Sequence, residues 1–342
     1  MDFRWIRLDL GRNKKMKALI TGATGFVGTW LTRDLCQRGL EVRILCRGPE
    51  LPFEFKGLPI EVAHGDITSI ESLEKAVKGV KLVFHLAGLV GYSRSMRSEM
   101  ERVNVQGTAN ILRAVQAERG IKLLHMSSVT AIGASFDGIP LNENSQFNLS
   151  HLNLGYFETK REAESLVKIS VEEGRVDAVI VNPSTIYGAG DALKGSRGTQ
   201  IKVAKGIFPY YTGGGVNVIA VEDLIPSLWV AVTKGRTGER YILSGENLLI
   251  KDLFGIIADE AGVRPPHIFL PNMLVHGIGK VGDILERFGM KGPLNSETAW
   301  TSTLFHWFDS SKARNELGLK TRPAREAIAQ SIRWMKEQHV IC

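Results

Sequence analysis

The order of apolar and amphipathic segments predicts an α/β protein: a doubly wound parallel sheet with a smaller, mostly helical C-terminal substrate lobe. Three observations carry this prediction. Short, continuous apolar runs alternate with amphipathic stretches of helical length through the first half of the chain, the pattern of parallel strands covered on both faces. A glycine turn, Gly22-x-x-Gly25-x-x-Gly28, follows the first apolar run and opens the first helical stretch. After Asn182-Pro183 the pattern breaks into turn-rich and then mostly helical sequence.

Taken in order, strands are expected over 17–21, 41–46, 60–64, 81–87, 121–127 and 177–182, the short apolar runs of the first half of the chain. Helices are expected over 26–38, 69–78, 96–118 and 156–173. Residues 184–215 are rich in glycine and end in Thr212-Gly-Gly-Gly215. A strand and helix follow across Asn217–Thr233, and a further strand at Tyr241–Leu243. Residues 251–342 read as helices punctuated by Pro265-Pro266, Pro271, Pro293 and Pro323. The expected division is a disordered leader at 1–15 ahead of Met16, which reads as an alternative or true start. A dinucleotide-binding domain takes 16–183 with about 216–246, and a substrate lobe takes about 184–215 with 247–342.

Composition narrows the function. At 342 residues, 44% hydrophobic and 23% charged, the chain has the make-up of an ordinary globular protein with ample core. No apolar run reaches the ~18–20 residues of a membrane span. The apolar stretch 268–284 is broken by Pro271, Asn272, His276 and Lys280 and reads as a pocket or core helix. The leader lacks the apolar core of a signal peptide. Cys36, Cys46 and Cys342 are scattered, which argues against a zinc or other metal site and suits a reducing cytoplasm. The net charge of +7 is spread along the chain and dense only at 12–17. It points to an anionic cofactor or substrate rather than to nucleic acid.

The glycine turn carries the first chemistry. Glycines let the chain turn sharply and let backbone N–H groups approach a pyrophosphate, and the helix beyond presents its positive end. Placed after a strand and before a helix, the turn predicts a Rossmann-type dinucleotide site. The second chemistry is Tyr156-Phe-Glu-Thr-Lys160 on an expected helix. Positions i and i+4 share a face, so a phenol and an ammonium stand side by side. A free tyrosine has a pKa of ~10. A cation ~4 Å away at an effective dielectric of ~20 is worth up to about 4 kcal/mol to the tyrosinate, enough to lower that value by up to roughly three. Ser127-Ser128 end the strand 121–127, at the sheet edge where open α/β sheets bind ligands.

With these motifs in order, the chain resembles the extended short-chain dehydrogenases/reductases, the NAD-dependent epimerase/dehydratase superfamily. The matching segments are Thr21-Gly-Ala-Thr-Gly-Phe-Val-Gly28, Gly65-Asp-Ile67, His85-Leu-Ala-Gly88, Asn104-Val-Gln-Gly-Thr108, Ser127-Ser128, Tyr156-x-x-x-Lys160 and Asn182-Pro-Ser-Thr-Ile-Tyr-Gly-Ala-Gly-Asp191. Val221-Glu-Asp223 and Ser311-Lys-Ala-Arg-Asn-Glu-Leu-Gly318 follow. Within that superfamily, Ala178–Thr185, Gly238–Leu243 and Phe308–Lys312 look most like the dihydroflavonol-4-reductase-like branch, which includes hopanoid-associated sugar epimerase-like proteins.

The resemblance implies roles. Gly22, Thr24, Gly25, Phe26, Val27 and Gly28 would form the pyrophosphate loop. Asp66 and Ile67 would border the adenine, Leu86, Ala87 and Gly88 would line the cofactor, and Pro183 and Ser184 would flank the nicotinamide. Tyr156 would move the proton. Lys160 would lower its pKa and bind the ribose. Ser128, five residues before Gly133, would orient the substrate oxygen, and Asn104 would support the lysine through water. Helices 96–118 and 156–173 would pair in a homodimer.

Two departures sharpen the reading. The second strand ends Cys46-Arg47, where an NAD-preferring fold carries a carboxylate for the ribose 2′-hydroxyl. Arg47, with Arg43, suits a 2′-phosphate, so NADP(H) is favoured while NAD(H) stays compatible. Val216 stands where sugar-nucleotide enzymes often carry an arginine clamp, although Arg197, Lys202 or Arg287 could serve. The expected function is therefore an NADP(H)-dependent oxidoreductase acting on the carbonyl or alcohol of a small, aromatic or terpenoid-like substrate. Val90, Tyr92, Phe208 and Leu274 join Ser128 as substrate-pocket candidates. The alternatives are a nucleotide-sugar epimerase or dehydratase with tightly held NAD, and a cofactor-binding regulatory protein.

Overall fold

Seven parallel strands order the molecule, in the sequence β10-β6-β5-β4-β1-β2-β3. They are β1 (Lys17–Thr21), β2 (Glu41–Cys46), β3 (Ile60–His64), β4 (Leu82–His85), β5 (Lys122–Met126), β6 (Asp177–Pro183) and β10 (Arg240–Leu243). The computed structural model describes residues 16–48, 51, 53–193, 197–290, 292 and 294–342. The expected leader 1–15 and Pro293 lie outside the described residues. The chain winds outward from β1 to β3 and then returns to β4 on the other side of β1. That reversal opens a crevice beyond the carboxyl ends of β1 and β4.

Alternate residues of each strand enter opposite cores, as the pleat requires. Ala18, Ile20, Val42, Ile44 and Phe84 pack under α1 (Phe26–Gln37) and α7 (Val221–Lys234). Leu19, Val83, Leu123 and Ile180 pack under α2 (Ile70–Ala76), α4 (Gly107–Ala117) and α5 (Gly155–Glu172). The long helix expected over 96–118 is composite. It begins as α3 (Arg97–Met100), passes through a π-helical stretch at Glu101–Gln106 and continues as α4. Such widened turns concentrate at functional sites, and Asn104 is buried on this one.

The second lobe holds a small sheet as well as helices. In it β9 (Gly215–Ala220) runs between β11 (Glu246–Leu249) and β13 (Phe305–His306), with β7 (Thr185–Tyr187) also paired to β9. Helices α6 (Gly198–Ala204), α8 (Ile250–Ala261) and α12 (Ala324–Glu337) enclose a core of Val203, Val218, Leu253, Ile257 and Ile328. A two-stranded pair, β8 (Tyr210–Tyr211) and β12 (Ile268–Phe269), leads to α9 (Asn272–Arg287) and α10 (Ser296–Thr303). Helix α11 (Ser311–Leu317) returns to the first sheet, where Ala313 and Leu317 join its core.

Of the two expectations for 268–284, a pocket or a core helix, the stretch lines a groove rather than a core: Gly279 and Gly282 face inward, while Gly277, Met273, Leu274, Val281 and Ile284 are exposed. Among the described residues no helix is long and apolar enough to cross a membrane, and no group of three or more His, Cys, Asp or Glu side chains is arranged to hold a metal ion.

Candidate active site

The glycine turn is shaped by contact as well as by conformation. Gly22 has φ +70°, and a Cβ there would lie 2.7 Å from the Ala87 nitrogen. Gly28 touches the turn itself: its Cβ would stand 2.1 Å from the Gly22 oxygen. Both glycines are thus needed to bring β1, the end of β4 and the start of α1 together. Gly25 caps α1 with no side-chain hydrogen bond, and no acidic residue lies in the first turn. The positive helix end stays open between exposed Thr24 and Gly25. Phe26 and Val27 seat the helix against the sheet core.

Along the crevice, Leu86 is buried and Ala87 and Gly88 follow it past the end of β4. Ile67 is buried against Gly107. Asp66 Oδ1 accepts from Thr68, and Arg47 lies 4.0 Å from Asp66 with 78% of its side chain exposed. Arg47 is thus free to reach a ligand. Arg43 is not: it is buried, donates to the carbonyls of Ala76 and Lys78, and pairs with Glu61 at 2.7 Å. The expectation that it would help read a 2′-phosphate is corrected. On the far side of the crevice, Pro183 ends β6, and Ser184 is buried with its hydroxyl unpartnered.

Helix α5 brings Tyr156 and Lys160 to the same rim. Lys160 is 5% exposed and donates to the Met126 carbonyl at 2.9 Å. A Cβ on Gly88 would lie 3.9 Å from its ammonium and 3.3 Å from Asn104 Oδ1. Asn104 therefore stands across Gly88 from the lysine, but its amide is committed elsewhere. It accepts from Leu89 N–H at 2.7 Å and donates to the Leu89 carbonyl and to Thr159. Burial pushes the Lys160 ammonium down to about 8, against the opposing charge of Glu164. Burial, and then Tyr92, raise the Tyr156 phenol above its ordinary value, while the hydroxyls of Ser128 and Thr130 pull the other way. Helical spacing alone predicts that Lys160 draws the phenol down. Desolvation wins here, because the ammonium is turned to the strand carbonyl.

The two adjacent serines divide their work. Ser127 donates to Glu164 at 2.7 Å and is structural. Ser128 accepts from Thr130 N–H at the start of a short 3₁₀ turn and faces Tyr156. Asn182 donates to both the Ser128 carbonyl and Glu164. Burial opposes ionisation of Glu164, yet Lys168 and Arg240 hold its pKa below the ordinary value. Sequence reasoning missed Thr130, Glu164 and this network, which comes from three separate elements. It also missed the roles of His85 and His125, whose rings are tilted against each other with centroids 5.4 Å apart. Burial, and then Lys160, push His85 down to about 3, and the same causes keep His125 neutral.

The second lobe closes the rim. Tyr92 stands edge-on to Tyr156 at 6.2 Å, and Val90, on the same loop, is 44% exposed. Trp300 and Tyr156 both pack against the cluster of Leu154, Phe157 and Leu304, and the buried carboxyl of Glu297 accepts from Gly155 N–H beside them, its pKa raised by burial. Phe208 and Leu274 do not join this group. Phe208 packs edge-on to Phe254 in the lobe's own core, and Leu274 lies half-exposed on α9. Val216 and Arg197 offer no free cation for a pyrophosphate clamp. Val216 is buried in the second-lobe core. Arg197 is buried, pairs with Asp191 at 3.3 Å and stacks on Tyr187. Lys202 is exposed on α6, and the Arg287 side chain lies outside the described residues.

A doubly wound parallel sheet, an open glycine turn at its first helix and a Tyr–Lys pair on the rim define a nicotinamide-dependent enzyme of the extended short-chain dehydrogenase/reductase type. The sequence pattern of the NAD dependent epimerase/dehydratase family matches residues 18–243, and the chain belongs to that family. It is 31% identical over 332 residues to sterol demethylase protein B of Methylococcus capsulatus, covering 95% of this chain and 100% of that protein. A putative dihydroflavonol 4-reductase of Synechocystis is 31% identical over 323 residues, covering 93% and 94%. The solved structure of gox2253 superposes with a TM-score of 0.85 at 34% identity, covering 96% of this chain and 100% of that one.

Proposed function

We propose that this enzyme is an NADP(H)-dependent oxidoreductase that reduces the carbonyl of a small, apolar substrate, aromatic or terpenoid-like, or oxidises the corresponding alcohol. One observation carries the reading: Tyr156, half-buried on α5 and edge-on to Tyr92 at 6.2 Å, presents a protonated phenol at the carboxyl end of the sheet beside the hydroxyls of Ser128 and Thr130. A phenol in that state is a general acid for a carbonyl oxygen. The names of the two relatives, a sterol demethylase protein and a putative dihydroflavonol reductase, are in keeping with an apolar substrate.

The chain's own groups fit a dinucleotide. The turn Gly22–Gly28 and the uncapped start of α1 would hold the pyrophosphate. Asp66 and Ile67 would border the adenine, and exposed Arg47 would meet a 2′-phosphate. Leu86, Ala87, Gly88, Pro183 and Ser184 would line the nicotinamide side. Lys160, buried with a single hydrogen bond among the described residues, has donors left for a ribose hydroxyl. When bound, the nicotinamide supplies or accepts the hydride at the substrate carbon. Ser128 orients the substrate oxygen, and Tyr156 delivers the proton to it; oxidation runs the same steps backward. Asn104 fixes the backbone at Leu89, and with it the floor between cofactor and substrate. Two copies would pair through α4 and α5 in a reducing cytoplasm, which light scattering at micromolar concentration tests directly.

The deciding experiment is dialysis. A reductase exchanges its cofactor every turnover, so purified protein should lose bound nucleotide and prefer NADP(H) in titrations. Stoichiometric NAD that survives dialysis, with isomerisation of a UDP- or GDP-sugar and no net change at 340 nm, would overturn the reading in favour of an epimerase.

A further inference from the structure

We propose that the outward face of α9 docks this protein on an anionic lipid surface, beside the mouth of the candidate active site. Helix α9 is built the reverse way from a helix that covers a core. Its inward side is small. A Cβ on Gly279 would lie 2.9 Å from the Ala299 methyl, and one on Gly282 would lie 1.7 Å from the Leu294 carbonyl oxygen. These glycines let α9 approach α10 closely. Val275 is buried beside them, but a stripe of large apolar residues points the other way. Met273 is 89% exposed, Leu274 51%, Val281 56%, Ile284 53% and Phe288, just past the helix, 75%. At about 100° per residue these positions share roughly one third of the helix circumference. With Met290 they expose on the order of 700 Å², above the roughly 300–600 Å² of the largest apolar patch on a typical monomer. By contrast, Ile169 is the exposed large apolar residue of α4 and α5 among the described residues.

Charge selects the occupant. The acidic side chains of α9 are turned away from the stripe and engaged: Asp283 pairs with Arg94 at 3.6 Å, and Glu286 accepts from Asn295 at 3.1 Å. Lys280 stands exposed within the stripe, with no acidic partner among the described residues. Exposed Ile268 and Phe269 lead into the helix, and exposed Lys205 and Arg264 flank the strand pair they belong to. Apolar side chains interspersed with unpaired cations match an acyl surface with anionic headgroups. A two-fold mate on the same face would set Lys280 against its own copy or leave it buried unpaired. The position also suits delivery of an apolar ligand. A groove of about 480 Å³ runs between Met273, His276, Lys280 and Trp300, and Trp300 packs against the same apolar cluster as Tyr156.

The test is co-sedimentation of the full chain with vesicles of phosphatidylcholine containing phosphatidylglycerol, against phosphatidylcholine alone. Binding to the anionic vesicles is expected, falling as salt is raised. The Ile284→Asp/Phe288→Asp double variant should bind at least tenfold more weakly and Lys280→Glu severalfold more weakly. Both should keep the wild-type melting profile, since these side chains are already in solvent. No wild-type binding, or equal binding by the double variant, would overturn the proposal. So would self-association that the double variant abolishes without any vesicle binding, which would assign the face to a second copy.

Discussion

Replacing Lys160 by methionine should make the protein more stable at neutral pH while disabling it. The ammonium is 5% exposed and its pKa is pushed from 10.5 down to about 8. Holding that charge in the folded state at pH 7 opposes folding by about 3 kcal/mol. Methionine keeps most of the aliphatic stem, so little packing is lost. What disappears with the charge is the hydrogen bond to Met126, worth about 1.5–3 kcal/mol for a charged donor. Glu164 keeps Lys168 and Arg240 and is not orphaned. The net gain is up to about 2 kcal/mol, or up to roughly 3 °C in melting temperature for a chain of this size. The sign with pH follows from linkage. The folded pKa is below the unfolded one, so the penalty is complete below about 8 and is relieved as pH rises towards 10.5. The variant's advantage should therefore shrink above pH 8 and reverse near pH 10, where only the lost hydrogen bond is felt. Thermal unfolding of both proteins at pH 7 and pH 10 measures this. A variant that is less stable at pH 7, or whose difference from wild type is the same at both values, would refute the buried-charge argument.

Three further outcomes test the site. Tyr156→Phe should retain nucleotide binding and lose turnover by about 10³-fold, because only the proton donor is removed; near-normal steady-state rates would remove Tyr156 from the mechanism. Arg47→Asp should move the NADP(H)/NAD(H) affinity ratio towards NAD(H) by about 10–100-fold, the worth of a charged hydrogen bond at the 2′ position; fluorescence titration with both cofactors reads it. Gly28→Ala places a carbon 2.1 Å from the Gly22 oxygen, so α1 must shift. We expect roughly 1–3 kcal/mol of destabilisation and a loss of nucleotide binding that calorimetry would detect.

Most of the frame is local physics and was legible in the residues. Buried parallel strands need apolar side chains on both faces, so β1, β4, β5 and β6 stand out as short apolar runs, while the edge strand β3 is mixed and half-exposed. The turn at Gly22–Gly28 needs residues without a Cβ, which marks it in any reading. Tyr156 and Lys160 are one helical turn apart, so a spacing rule was enough to place them together. The rest depends on where distant segments meet. Burial of Tyr156 and Lys160 arises only where α5 meets strand β5 and the loop carrying Tyr92, and that burial overrides the pairing expected from spacing alone. Arg43 and Arg197 look like free cations in sequence, yet backbone carbonyls and the carboxylates of Glu61 and Asp191 occupy them. The apolar stretch of α9 announced itself as apolar, but which side faces solvent was set by the glycines that let α10 approach. A sequence determines periodicity and covalent reach; burial, and with it charge state and exposure, belongs to the packed chain.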